Sequence, residues 1–278
     1  MTIRTAIYLS GNKSKLYPNI APHLQDGKRK VLADLFGGSG IISLNVVNDN
    51  LFEKVIYNDK AEWLYNLNTY LKEYDCLTAL EKLHNEYGKS QAEYYRLQND
   101  YNSKPTFAKL FLLMCRGNSN MVRFNSEGKH NMSWGDRNPF FPERILKHQQ
   151  LIQNVELWNR DFGDAIEDML ESGDLSATTV YVDCPYYSTT AVYNENGGWS
   201  QNDNTTLFEY LLELQLYGAK VVMSNVFENR GYVHQELIDW CEQHKDKFDA
   251  HHLNISYNNN SSFRKGKGNT DEVLIVSK

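Results

Sequence analysis

Apolar positions along this chain follow two rhythms. Short β-branched or aromatic runs, Val31-Leu32-Ala33, Val55-Ile56-Tyr57, Val155-Glu156-Leu157-Trp158 and Thr179-Val180-Tyr181-Val182, have the length and composition of strands. Between them the spacing is helical. Ile41 to Val47 follows the first run, and Leu16 and Ile20 share a helix face ahead of it. Leu64, Leu67 and Leu71, then Leu77, Leu80 and Leu83, then Tyr94, Tyr95 and Leu97 give an amphipathic region over 60–103, and Phe107 to Met114 reads as a buried helix. Helices are predicted over 165–170, 204–217 and 233–242, and strands over 219–224, 251–257 and 272–277. Strands alternating with helices predict an α/β sheet with helices on both faces. The 278 residues suffice for one large α/β domain, or one carrying a sizeable insertion.

Chemistry gathers where strands end. The stretch 179–187 closes a buried strand on Asp183-Cys184-Pro185-Tyr186, and Pro185 disfavours helix at Cys184. A carboxylate, a backbone carbonyl and an aromatic ring are thereby presented past a strand's C-terminal end, where open α/β sheets bind ligands. Two acceptors and a π-face suit an exocyclic amino group on a flat base; an ordinary turn is the plainer reading. Asp34-Leu35-Phe36-Gly37-Gly38-Ser39-Gly40 makes a glycine-rich turn that lacks both Gly-x-Gly-x-x-Gly and the Gly-Lys-Ser/Thr ending of a phosphate loop. Asp59 ends the second strand, placed to bind a ribose hydroxyl pair or to cap a helix. A ribose site without a phosphate fingerprint fits S-adenosylmethionine. Asp161 and Phe162 follow the third run and suit an adenine amino group and ring, while Asp164 is expected to cap the next helix. Lys13, after the Gly11-Asn12 turn, suits a carboxylate.

Net charge is −6, yet residues 104–147 carry eight Lys and Arg against three acids, a net +5 that leaves −11 elsewhere. That segment invites either a polyanion or plain solvation of a helix face. Helical periodicity fails over 116–137, where Phe124 and Trp134 sit in a polar, glycine-punctuated run. Long irregular segments in compact domains tend to be functional. Arg123, Asn120 and Asn125 have side chains that read base edges, and Arg116, Lys129 and Arg137 suit phosphates. A hairpin packed on the domain is the alternative. The loop 189–200, with Tyr193 and Trp199, is placed to close over a site, and the loop 258–270, with Arg264, Lys265 and Lys267, to touch a phosphate. Cys76, Cys115, Cys184 and Cys241 lack metal-ligand spacing and read as reduced thiols of a cytoplasmic protein; no metal site is expected. No apolar run approaches the ~20 residues of a membrane span.

In this order the motifs resemble those of the Dam-type S-adenosylmethionine-dependent DNA adenine N6-methyltransferases of bacteria and T-even-like phages, over nearly the whole chain. Ser10-Gly11-Asn12-Lys13 is similar to that family's N-terminal cofactor motif, the run from Asp34 to Gly40 to its glycine motif, and Asp183-Cys184-Pro185-Tyr186 to its Asp-Pro-Pro-Tyr. Ser224-Asn225-Val226 and Asn269-Thr270-Asp271-Glu272-Val273 fall where phage members carry like sequences.

The resemblance implies a Rossmann-like methyltransferase domain, residues 1–62 and 150–278, with a target-recognition insertion over 63–149. It implies S-adenosyl-L-methionine as cofactor, double-stranded DNA as partner with no obligatory protein partner, and a GATC-like site. Carried over residue by residue, Asp183, Cys184, Pro185 and Tyr186 are catalytic. Lys13, Asp34, Phe36, Gly37, Gly38, Gly40, Asp59, Asp161, Phe162, Asp183 and Tyr193 serve the cofactor. Arg116, Asn120, Arg123, Asn125, Lys129, Trp134 and Arg137 face DNA. Cys184 replaces the family's first proline, and Met132-Ser133-Trp134-Gly135 departs from a stretch where many relatives carry proline and phenylalanine. A DNA-binding regulator with an impaired catalytic motif, and an amino-group methyltransferase acting on RNA or protein, are the alternatives.

Overall fold

The computed structural model describes residues 2–9, 11–137, 139–186, 199–229, 231–253 and 270–278. In chain order the elements are α1 (Tyr17–Leu24), β1 (Val31–Asp34), α2 (Ile41–Asn48), β2 (Lys54–Asn58), α3 (Glu62–Leu71), α4 (Cys76–Glu86), α5 (Gln91–Ser103), α6 (Phe107–Arg116), α7 (Pro142–Ile152), β3 (Val155–Trp158), α8 (Phe162–Glu171), β4 (Thr178–Val182), α9 (Gln201–Leu216), β5 (Lys220–Asn229), β6 (Tyr232–Val233), α10 (Gln235–Gln243), β7 (Phe248–His252) and β8 (Thr270–Ser277). Short 3₁₀ turns cover Lys13–Lys15 and Asn118–Asn120. None of the described helices is long and apolar enough to cross a membrane.

The chain forms two compact units. One comprises Met1–Ser14, Gly37–Asn50 and Asp59–Asn159; the other comprises Lys15–Phe36, Leu51–Asn58 and Arg160–Lys278. The second unit is built on a mixed sheet in the order β2-β1-β4-β5-β8-β7, with β6 paired to β5. β1 runs parallel to β2, with Asp34 opposite Tyr57, and parallel to β4, with Asp34 opposite Tyr181. β4 continues parallel to β5, whereas β8 is antiparallel to both β5 and β7. All five residues of β4 are buried, as a β-branched run between two parallel partners requires. Because β1 has β2 on one side and β4 on the other, the strand order reverses there. In a Rossmann-like sheet this is the point at whose carboxyl end ligands bind.

The first unit is mainly helical. One core cluster joins Leu64, Leu67, Leu71, Leu80, Leu110, Phe111 and Met114 with Ala6 and Ile7 of the N-terminal segment. A second joins Tyr87, Tyr94, Leu97, Leu112 and Leu113. α6 contributes to both clusters, and every residue from Leu110 to Arg116 is buried.

Some element boundaries differ from expectation. α7 is absent from the sequence reading. α8 begins at Phe162, and its cap is Asp161, which accepts the Gly163 N–H at 3.0 Å, not Asp164. α10 starts at Gln235, after the two-residue strand β6. The penultimate strand is 248–252, earlier than the expected 251–257. Among the described residues it pairs only with β8 and ends the strand order; four of its five residues are exposed and carry no apolar alternation.

Candidate active site and recognition hairpin

In the second unit, the C-terminal ends of two adjacent parallel strands present the first group of candidate residues. Asp34, the last residue of β1, is buried, and Phe36 beyond it is half-buried. Beyond β4, Asp183, Pro185 and Tyr186 are half-buried and Cys184 is buried. The Leu35 N–H donates to the Tyr181 carbonyl at 3.0 Å, so the two chains leave the sheet side by side. The Tyr181 hydroxyl lies 2.8 Å from Ser224 Oγ, and Asn225 Nδ2 lies 3.7 Å from Cys184 Sγ. The Ser224-Asn225 pair on β5 therefore packs against both β4 and Cys184, the second residue past its end. The thiol fills an interior position, which accommodates cysteine in place of proline.

Asn58, which the sequence reading passed over, ties the same region together. Its Nδ2 donates to the carbonyls of Leu35 (3.0 Å) and Arg160 (3.2 Å), and its Oδ1 accepts the Arg160 N–H at 3.1 Å. One amide thus holds the segment leading to Phe36 beside the segment leading to Asp161 and Phe162. The Phe36 and Phe162 rings stack at 5.8 Å and 29°, and Trp199 packs against Phe36 at 5.6 Å and Phe162 at 5.3 Å. Trp199 is fixed by Nε1 donation to Asn204 Oδ1 (2.7 Å), beside the Ser200/Asp203 capping box that starts α9. This cluster offers apolar ring surface to a flat ligand. Tyr193 lies outside the described residues, as does the expected basic loop apart from Thr270.

In the first unit, the turn from Gly37 to Gly40 opens α2. Gly40 takes a left-handed φ of 74° as the cap, a conformation that costs a side-chain-bearing residue strain. The half-buried Asp59 accepts from the Gly38 N–H (2.8 Å, Oδ2) and the Ala61 N–H (2.8 Å, Oδ1). The expected ribose role of Asp59 is compatible with this geometry, since a carboxylate oxygen with one backbone donor keeps a second lone-pair direction; the expected capping role is not, because the cap of α3 is Ala61 and no side chain caps it. Burial pushes its pKa up to about 6, and the two N–H donors pull the other way. Lys13 is buried in its 3₁₀ turn. Tyr8 donates to the Pro139 carbonyl at 2.6 Å.

Residues 117–135 form a hairpin-like excursion. Phe124 bridges His130, and Gly117 bridges Trp134. Asn102 clasps the His130 backbone, accepting its N–H at 2.8 Å and donating to its carbonyl at 3.0 Å, while Tyr94 and Gln98 donate to the Met132 carbonyl. α5 is therefore the platform for this loop. At Gly135 a Cβ would sit 2.8 Å from the Gly117 carbonyl oxygen, so only glycine allows this approach.

Arg116 requires a correction. Expected to meet phosphate, it is 1% exposed and donates to the carbonyls of Gly88 (2.9 Å), Tyr87 (2.9 Å) and His84 (3.3 Å). It is a structural clamp between α6 and the end of α4. Arg116→Ala should lower stability by about 2–3 kcal/mol, because buried carbonyls lose their donors. Exposed Arg137→Ala should leave the denaturant midpoint unchanged, and urea titration of the two variants checks the contrast. Asn120 and Asn125 are likewise engaged within the loop. Asn120 Nδ2 donates to the Cys115 carbonyl at 2.8 Å, and Asn125 Oδ1 accepts from the N–H groups of Glu127 and Lys129. Arg123 is half-buried, bound to Asn131 Oδ1 (2.9 Å) and the Asn131 carbonyl (3.0 Å). Lys129 and Arg137 are exposed and Trp134 half-buried. Among the described residues, no group of three His, Cys, Asp or Glu is arranged to hold a metal ion.

Residues 9–262 match the model of the D12 class N6 adenine-specific DNA methyltransferases. The chain is 24% identical to the modification methylase StsI of Streptococcus sanguinis over 99% of its own length and 43% of that protein's. It is 27% identical to the modification methylase LlaI of Lactococcus lactis subsp. lactis, covering 87% of this chain and 40% of that one. It thus spans less than half the length of these two relatives. The type II methyltransferase M.MjaIII of Methanocaldococcus jannaschii is 25% identical over 82% of this chain and 86% of its own. Among solved structures, the rRNA methyltransferase aviRa of Streptomyces viridochromogenes aligns with a TM-score of 0.44 at 13% identity, covering 97% of this chain and 86% of that chain.

Proposed function

Because the chain belongs to the D12 class N6 adenine-specific DNA methyltransferase family, we propose that it transfers a methyl group from S-adenosyl-L-methionine to the N6 amino group of an adenine flipped out of duplex DNA, at a short GATC-like site. The observation that carries this reading is the end of β4, where Asp183, Cys184, Pro185 and Tyr186 follow a fully buried parallel strand within the family match.

The residues present fit such a donor. In the second unit, Phe36 and Phe162 supply ring surface for an adenine, and Asp161 heads α8 beside Phe162. In the first unit, Gly38 and Gly40 give a side-chain-free turn, Asp59 suits ribose hydroxyls, and Lys13 suits the methionine carboxylate. When bound, S-adenosylmethionine supplies an electrophilic methyl carbon on a sulfonium sulfur.

The chain's own residues then act on the target base. Tyr186 stacks on its ring. Asp183 and the Cys184 carbonyl accept the two N6 hydrogens, aiming the nitrogen lone pair and stabilising the positive charge that develops there. N6 gains one bond to the methyl carbon as that carbon's bond to sulfur breaks and leaves its electron pair on sulfur, and N6 sheds one proton, which Asp183 passes to solvent. Flipping is required because the amino group cannot be reached within the base stack. Residues 63–149 engage the duplex, with Arg123 reading base edges and Lys129 and Arg137 on phosphates.

Cys184 is the one feature that favours an impaired regulator, and its interior packing argues that the turn tolerates it. Offering unmethylated duplex DNA, RNA and protein in parallel tests the substrate class. Methylation of duplex DNA alone is expected; preferential methylation of RNA or protein overturns the reading.

A further inference from the structure

Residues 3–9 lie in neither helix nor strand, yet Thr5, Ala6 and Ile7 are buried. Helix side chains of the first unit supply hydrogen bonds that a neighbouring strand would otherwise give. Asn45 of α2 accepts the Ile3 N–H at 2.8 Å and returns a bond to the Ile3 carbonyl at 3.3 Å. His148 of α7 accepts the Ala6 N–H on Nδ1 at 3.3 Å. Its Nε2 lies 3.0 Å from Asn68 Oδ1 of α3, while Asn68 Nδ2 donates to the Leu64 carbonyl at 2.9 Å. With Nδ1 accepting, the ring proton sits on Nε2 and donates to Asn68.

Asn45, Asn68 and His148 are each 0% exposed. Polar groups are costly at such depth unless every bond is made, so a satisfied set of this kind fixes one arrangement. Burial also pushes the His148 pKa down to about 3, which keeps the ring neutral. The set lies against the glycine turn of the proposed cofactor machinery in this unit and anchors the chain that leads to Lys13. Asn68 Oδ1 lies 3.7 Å from where a Cβ on Gly40 would stand. Ala6 precedes the turn of Lys13 by seven residues, and Asn12 braces that turn by donating to the Leu9 carbonyl at 2.9 Å.

We infer that the buried Asn68–His148 pair is a positioning device that holds the segment leading to Lys13 and thereby sets cofactor affinity; this rests on the proposed role of that segment. His148→Asn keeps an acceptor on the γ-carbon, where Nδ1 now faces Ala6. His148→Gln moves its amide outward to Asn68 and leaves Ala6 without an acceptor.

The test is steady-state methylation of duplex DNA by the full chain, varying each substrate in turn. His148→Ala and His148→Gln should raise KM for S-adenosylmethionine about tenfold, with kcat at saturating cofactor within about twofold of wild type and KM for DNA unchanged. His148→Asn should recover most of the loss. General loss of structure would instead lower the active fraction and leave KM of the remainder untouched. If His148→Ala does not fold, the Asn and Gln variants carry the comparison. An unchanged cofactor KM in the Gln variant, or equal recovery by Asn and Gln, overturns the inference. A wild-type chain that methylates no DNA overturns instead the reading beneath it.

Discussion

Asp183→Ala removes methyl transfer, by about 10³-fold or more in kcat, while duplex DNA still binds. The magnitude follows from the loss of an acceptor aimed at charge that develops only in the transition state, an effect worth about 10²–10³-fold for a single oriented group, together with the loss of lone-pair orientation. Asp183 stands immediately past β4, whose five residues are buried, so truncating its half-buried side chain leaves the sheet intact. Single-turnover transfer of labelled methyl measures the rate, and gel shift with the unreactive product S-adenosylhomocysteine measures DNA binding. Transfer at the wild-type rate would remove Asp183 from the mechanism.

The second large effect is at Asp59. Asp59→Ala should weaken cofactor binding by about 10²–10⁴-fold, because two charge-assisted hydrogen bonds of about 1.5–3 kcal/mol each are lost. The pH dependence is more telling. Asp59 holds its proton up to about pH 6, above the ordinary 3.8, because burial disfavours the charged form. The folded chain therefore binds this proton more tightly than the unfolded one. The contribution of Asp59 to stability declines as pH rises from about 4 to 6 and is constant beyond that. For the ligand the direction reverses, since ribose hydroxyls are donors and the ionised carboxylate is the better acceptor. Affinity for S-adenosylhomocysteine should rise with pH up to about 6 and level off above it. Calorimetric titration from pH 5 to 8 measures this, and Asp59→Asn should flatten the dependence below pH 6. A wild-type affinity independent of pH across that range would exclude Asp59 as the ribose acid.

The strand-then-acid runs were readable because burial on both faces of a parallel strand demands uninterrupted apolar residues. The same demand places Asp34 and Asp183 at strand ends, in phase with neighbours that only the fold reveals. α7 escaped notice because its inward positions are Ile145, His148, Leu151 and Ile152, and the histidine interrupts the apolar stripe. That histidine earns its interior place through a backbone N–H more than a hundred residues away, which no local pattern records. Arg116 misled for the opposite reason: a charge in a basic run is usually solvated, and its burial depends on carbonyls of Tyr87 and Gly88 left open past the end of α4. Asn58 carries no local signal, since its partners lie on other segments, and Trp199 was legible as part of a closing loop but not as a partner of Phe36 and Phe162.

The central claim is tested most directly by incubating the protein with labelled S-adenosylmethionine and unmethylated duplex DNA, then mapping modified bases. The account predicts N6-methyladenine at one short recurring sequence. Cofactor and DNA both bound with no methyl incorporated, or methyl found elsewhere than adenine N6, would contradict it.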